Sequence, residues 1–279
     1  MNKVDFLVTF TVKGANCNGD PLAGNMPRTD SMGYGEVTDV CIKRKIRNRM
    51  QDLDKDIFVQ AKERTKDGAN SLEARYKIYF NKDNKDEEVE KSFNEKWLDV
   101  RSFGQVITFD KRSIGIRGPV SITMAKSLSP IIINSTQITR SCNGMEPKND
   151  KARSSDTMGT KHSVEFGTYF FSGAINSYIA EKTGFNEEDK EIIKKCLKTL
   201  FINDTSSARP DGSMEIKEIF WFEHKNEIGN VSSAKIRALL EYEDLAQADS
   251  YEDYKIRLNE EKLEEYKKLG IKYSHIEGI

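Results

Sequence analysis

The 279-residue chain has only three histidines, His162, His224 and His275, and four cysteines, Cys17, Cys41, Cys142 and Cys196, all far apart. Neither set supplies the C-x-x-C pair or clustered imidazoles expected of a zinc site, a redox dithiol or paired acid–base catalysis. The cysteines read as small buried thiols of a reducing, cytoplasmic compartment. No apolar run approaches the roughly 20 residues needed to cross a bilayer, so no membrane span is expected. The amino terminus also lacks the basic patch and apolar run of a secretory leader. Neither a G-x-x-x-x-G-K-S/T phosphate loop nor a G-x-S-x-G nucleophile elbow occurs. No metal, cofactor or catalytic group is expected.

Net charge is scarce as well, since 44 Lys and Arg stand against 45 Asp and Glu. Evenly spread, that balance would count against a phosphate ligand. It is not evenly spread. Residues 100–161 hold ten basic residues and four acids, and residues 241–265 hold ten acids and three bases. A basic groove and an acidic outer or inter-subunit surface are both expected. With 37% hydrophobic residues and a mean hydropathy of −0.65, the chain is expected to be soluble and able to bury a core.

Residues 4–12 alternate Phe6, Val8, Phe10 and Val12 with Leu7, Thr9 and Thr11, the period of a strand. Residues 13–37 hold five of the 18 glycines plus Pro21 and Pro27, which predicts a long ordered loop. A helix is predicted from Thr38 or Asp39 to about Leu53, with Ile42, Ile46, Met50 and Leu53 inward. Residues 54–96 are charge-dense and read as a surface insertion outside the core. Residues 134–161 are polar and basic and read as a second. Strands are predicted at 118–125, 163–180 and 216–222, a helix capped by Asn186 runs through Leu200, and residues 225–279 read as a helical, acidic extension. Without its insertions the order is strand, helix, strand, strand, helix, strand. The fold class is therefore α+β, a ferredoxin-like (RRM-like) single domain spanning residues 1–279.

Chemistry concentrates in two places. Five basic residues, Lys43, Arg44, Lys45, Arg47 and Arg49, fall within seven helical positions. Lys43 with Arg47, and Lys45 with Arg49, are spaced i, i+4, so each pair forms either a ridge for a phosphate backbone or a solvated face. The preceding loop, with Asn16, Asn18, Gly19, Asp20, Pro21, Gly24, Asn25 and Arg28, can cradle phosphates or simply turn the chain. Further along, Arg101, Ser102, Phe103 and Gln105 offer a cation, a hydroxyl, a ring and an amide within one turn, which suits unstacked RNA. Phe103 serves equally as core, and Arg117 either reaches phosphate or pairs with an acid. The aromatic sheet motif of RNA-recognition domains is absent, so RNA is expected beside the first helix.

In combination these segments carry a resemblance. The run from Asn18-Gly19-Asp20-Pro21 through Gly24-Asn25-Met26-Pro27-Arg28 to residues 37–48 resembles the backbone subunit of type I-C CRISPR surveillance (Cascade) complexes, of the RAMP superfamily. Residues 99–104, 116–120 and 127–130, with Lys161-His162 before Phe166-Gly167, are similar to further segments of that family. The resemblance implies a palm, a finger at about 54–96 and a thumb at about 134–162. It implies several copies polymerising along one CRISPR guide RNA, which then pairs with target DNA, alongside other Cascade subunits. Arg140, Arg153 and Lys161 of the thumb would hold backbone, and Met158 would wedge beside a displaced base. Related subunits of other classes cut RNA with a first-loop aspartate, so Asp20 and Asp30 keep open a metal-dependent endoribonuclease. A monomeric RNA chaperone is the third reading.

Overall fold

The protein, here a computed structural model, is described over residues 1–139 and 158–279. β1 (Val4–Ala15) places Phe6, Val8, Phe10 and Val12 in the main core. The glycine-rich stretch folds as a two-residue ladder between β2 (Gly19–Asp20) and β3 (Met26–Pro27), then β4 (Tyr34–Val37). α1 (Asp39–Asp52) starts where Thr38 leaves the helical conformation and its hydroxyl accepts from Cys41 N–H at 3.2 Å. Ile42, Ile46 and Met50 form its buried stripe, as the periodicity predicts.

Next come α2 (Leu72–Tyr79), α3 (Asp86–Lys96), α4 (Leu98–Phe103) and the hairpin of β5 (Gly104–Ile107) with β6 (Ile114–Arg117). The insertion expected outside the core brings a core of its own. Phe58, Tyr76, Val89, Phe93 and Trp97 join Val100, Ile107, Ile114 and Ile116 in a separate core. Phe93 and Trp97 meet edge-on with centroids 4.6 Å apart. Each such ring contributes about 1.5–3 kcal/mol by burial.

β7 (Val120–Ile122), β8 (Ala125–Pro130) and β9 (Ile133–Thr139) precede the long β10 (Met158–Ile175). α5 (Ser177–Thr183), α6 (Glu187–Lys198) and β11 (Met214–Glu223) follow. Asn186 caps α6 and Asp189 returns the bond to the Asn186 N–H, a capping box. The remainder holds α7 (Ser233–Arg237), a short ladder of β12 (Leu240–Glu241) with β13 (Arg257–Leu258), α8 (Glu260–Lys268) and β14 (Lys272–Glu277). This segment is less helical than its charge pattern predicts, because β14 adds an edge strand to the main sheet.

That sheet runs β14-β11-β1-β10-β8-β4 with every pairing antiparallel, and β7 and β9 also pair with β10. α1 and α6 cover one face. Leu7, Phe220 and Phe222 on the other pack under Val231, Ile236, Leu239, Leu263 and Tyr266 of the carboxy-terminal segment. The alternation in β1 therefore separates two buried faces and not a core face from a wet one. No helix among the described residues is long and apolar enough to cross a membrane.

Candidate nucleic-acid interface

The basic residues of α1 divide by direction. Lys45 and Arg49 flank the apolar stripe and are 4% and 7% exposed. Lys45 is ion-paired to Asp204, with its ammonium 5.7 Å above the Phe201 ring centroid. Arg49 Nη1 meets Asp52 Oδ2 at 2.6 Å and its Nε donates to Thr199 Oγ1 at 3.1 Å. The expected phosphate ridge of Lys45 and Arg49 is thus corrected to an internal tie between α1 and residues 199–204. Their long stems let them border the core while their heads stay paired.

The other pair, Lys43 and Arg47, is half-buried on the side facing α4. Lys43 Nζ sits 3.0 Å from Asp39, one turn back on the same helix. Arg47 Nε donates to Asp99 Oδ2 at 2.9 Å, and its guanidinium lies 5.1 Å from the Phe103 centroid. Fully buried Asp99 also accepts from the N–H groups of Phe58 and Val59, at 2.7 and 3.1 Å. Arg44 Nη1 donates to Val59 O at 2.8 Å, so α1 holds the first residues of the insertion in place. Burial and its like-charged neighbour Arg47 draw the Arg44 pKa down.

Phe103 is partly buried, and the chain turns sharply after it. Gly104 has φ of +81°, and a Cβ there would lie 2.3 Å from Ile116 O; one on Gly118 would lie 2.3 Å from Ser102 O. These two glycines let the turn press against β6. Gly104 pairs with Arg117 and Gln105 with Ile116, so the backbone of Arg117 runs beside the turn that follows Phe103, while Gln105 shares the face of buried Ile116 and Arg117 takes the opposite, exposed face. Arg117 is exposed, with no ion pair or hydrogen bond among the described residues. Gln105 Nε2 donates to Val106 O at 2.8 Å. Arg101 is held elsewhere, its Nε and Nη2 gripping Asp189 at 2.8 and 2.9 Å, and Ser102 is buried with its Oγ unpartnered. Arg101 thus anchors α4 to α6, Ser102 faces inward, and neither joins the strip.

The first loop is well braced. Asn18 Oδ1 accepts from Thr38 N–H and Oγ1–H at 2.9 and 3.1 Å, fixing the loop to the start of α1. Asn16 Nδ2 donates to Asn25 O at 2.7 Å, while the Asn25 side chain is exposed at φ +64°. Arg28 Nη2 lies 3.3 Å from Asp20 Oδ1, and its buried Nε has no partner among the described residues. Asp20 also accepts from Leu22 N–H at 3.0 Å. Asp30 accepts from Met32 and Tyr34 N–H and pairs with Lys126 at 2.6 Å, which holds its carboxyl below the usual range. Among the described residues no group of three or more His, Cys, Asp or Glu could hold a metal.

β9 and the first part of β10 form a two-stranded ribbon, with Thr139 opposite Met158, Thr136 opposite Lys161 and Ser135 opposite His162. Met158 is 62% exposed, and Lys161, three residues further along the same strand, is also exposed. Arg140, Arg153 and Cys142 lie outside the described residues. Cys17, Cys41 and Cys196 are free thiols; burial pushes Cys17 up to about 11 and Cys196 to about 12.

The profile described as CRISPR-associated protein Cas7 matches residues 2–259. The chain belongs to the Cas7 family. A CRISPR-associated protein Cas7 from Haloferax volcanii is 24% identical over 238 residues, 74% of this chain and 66% of that protein's length. One solved chain, from "CRISPR RNA-guided surveillance complex, pre-nicking", aligns at a TM-score of 0.51 and 16% identity over 85% of this chain and 84% of its own. Another, from "CRISPR RNA-guided surveillance complex", gives 0.50 and 16% over 96% and 81%. At these identities the solved chains establish a shared fold alone, an α+β architecture that here is built on a large antiparallel sheet.

Sequence reading of this Cas7 chain does not single out Asp99, Asp189 or Asp204. Each is one acid among 45, and the base of α1 or α4 that each holds lies 52 to 159 residues away.

Proposed function

We propose that this Cas7-family chain is a non-catalytic, RNA-binding backbone subunit that oligomerises along CRISPR guide RNA and presents it for pairing with target DNA. The observation that carries the reading is the strip formed by Arg47 stacked on Phe103, Lys43 one turn back on α1, and exposed Arg117 on the strand paired beside the turn. It combines cations for phosphate with a partly open ring for stacking. The order β11-β1-β10-β8, with α1 and α6 on one face, supports a ferredoxin-like palm. The insertion with its own core then serves as finger and the β9–β10 ribbon as thumb, where Met158 and Lys161 meet a neighbouring copy's RNA. The type I-C assignment, a cytoplasmic location and docking to other Cascade subunits follow the sequence resemblance. Because Asp20 and Asp30 are already engaged as turn and ion-pair acceptors, binding is favoured over cleavage.

Light scattering of the purified chain with guide-length single-stranded RNA tests this reading. Discrete, RNA-dependent assemblies of many copies are expected. One protein per RNA would instead indicate a monomeric chaperone. Mg²⁺-dependent fragments of complementary RNA, lost in Asp20→Ala or Asp30→Ala, would establish the endoribonuclease.

A further inference from the structure

The two ends of the main sheet are finished differently. β4 is four residues long with a register shift, and its outer side is covered by a bridge between Thr29 and Gly35. At the other end β14 is six residues, Lys-Tyr-Ser-His-Ile-Glu, with no proline, glycine or register shift. Gly278 N–H donates to Lys217 O at 3.1 Å, one step beyond the pair of Glu218 with Glu277, and this sets the hydrogen-bonding phase of the ladder. Lys272, Ser274 and Ile276 therefore bond to β11, while the N–H and C=O groups of Tyr273, His275 and Glu277 point away from the sheet. None of these outward groups has a backbone or side-chain partner among the described residues.

A regular edge strand accepts another strand unless a proline, a bulge or a covering segment blunts it, and β14 has none of these among the described residues. Its side chains select which strand. The Tyr273 and Phe222 rings lie 5.4 Å apart and those of His275 and Phe220 are stacked at 5.2 Å, so β11 and β14 carry two aromatic rows on one face. A second β14 laid antiparallel about a twofold axis must set outward residues opposite outward residues. An axis through His275 would set imidazole against imidazole and Tyr273 against Glu277. An axis through Ser274 sets each Tyr273 opposite His275 of the other copy and each Lys272 opposite Ile276. That register continues both rows across the joint as Phe222, Tyr273, His275 and Phe220, and aromatic cross-strand pairs are stabilising. We propose that β14 pairs with β14 of a second copy of this chain, antiparallel and centred on Ser274, and so joins two main sheets into one. An interface this narrow makes a weak, concentration-dependent dimer. β14 contributes nothing to the α1–α4 strip, and the pairing stands independently of the RNA-binding reading.

Sedimentation velocity of the RNA-free full chain, from micromolar to submillimolar concentration, tests the proposal. A monomer–dimer equilibrium is expected. His275→Pro removes an outward N–H and no bond to β11, at a position where an edge strand tolerates proline, and should raise the dimer dissociation constant about tenfold or more while the circular dichroism spectrum is retained. Ser274 and its counterpart form a non-hydrogen-bonded pair with Cα atoms about 4.5 Å apart, within the span of a disulfide. Mild oxidation of Ser274→Cys should therefore link position 274 of one copy to position 274 of the other in peptide maps. Lys272→Cys, about 13 Å from its own counterpart in this register, should not self-link. This cross-link reads the register even where the proline variant loses its fold. A monomer at every concentration would leave the edge to a foreign strand or to water, and overturns the proposal. So does a folded His275→Pro that dimerises like the parent, or a Lys272→Cys that self-links as readily as Ser274→Cys.

Discussion

Arg47 grips Asp99 through its Nε at 2.9 Å while its guanidinium plane covers the Phe103 ring at 5.1 Å. One side chain thus neutralises a buried carboxylate and sets the position of the ring in the proposed interface. Lysine cannot supply both the planar fork and the stacking. Arg47→Lys should lower stability by about 1 kcal/mol and weaken RNA binding several-fold, read by chemical denaturation and fluorescence anisotropy. A variant with unaltered affinity would remove Phe103 from the interface.

Arg117 gives the cleanest test of the strip, since it has no partner to lose among the described residues. Arg117→Ala should leave the melting temperature within a degree or two and reduce RNA affinity. The slope of log affinity against log salt should shrink by about one contact. An unchanged slope would place the phosphates elsewhere.

Lys45 and Arg49 behave oppositely. Lys45→Glu sets a carboxylate against Asp204 in a nearly dry site, and Arg49→Ala strips a partner from Asp52. Losses of about 3 kcal/mol or more for the charge reversal and about 1–3 for the truncation are expected in urea titrations. The truncated protein, once folded, should bind RNA with near-normal affinity. A soluble, fully stable Arg49→Ala with abolished binding would contradict the internal-tie reading.

Gly104→Ala meets both a left-handed φ of +81° and the Ile116 carbonyl at 2.3 Å. It should cost about 2–3 kcal/mol and displace the β5–β6 hairpin, visible as shifted amide resonances around residues 102–118.

Acid should act through paired carboxylates. Hydrogen bonds from Arg75 hold Asp67 below its usual pKa, and Lys126 does the same for Asp30. At Asp52 burial pushes the carboxyl up, but the guanidinium groups of Arg64 and Arg49 outweigh it. A depressed folded pKa gives stability that is fully present above the unfolded value near 4 and is lost as pH falls through the folded one. The melting temperature should stay level from pH 7 to about 5 and drop below 4. Asp67→Asn should start lower at neutral pH and fall less steeply in acid.

The periodic elements were legible because their signals are local. α1 shows its apolar stripe and cap within 15 residues, and Asn186 announces α6 through the acids that follow it. The candidate site was legible only in part. A charge count marks α1 as basic, but the acids that decide which cations turn inward, Asp99, Asp189 and Asp204, are remote in sequence. Lys45 and Arg49 flank the apolar stripe at positions where a long stem can bury, and sequence spacing alone does not separate them from Lys43 and Arg47. β14 was missed because an edge strand reading Lys-Tyr-Ser-His-Ile-Glu has little alternation to show.

β10 runs without interruption from Ile175, locked between β1 and β7, to Met158 at the far end of the ribbon. A two-stranded ribbon in water is marginally stable by itself. A single strand therefore spans two regimes of opening in the isolated chain. Amides of residues 169–175 should exchange with deuterium only on global unfolding, and those of residues 158–163 by local fraying. Assembly would close that gap, so the slowing of exchange along one continuous strand measures how firmly a neighbour grips the ribbon.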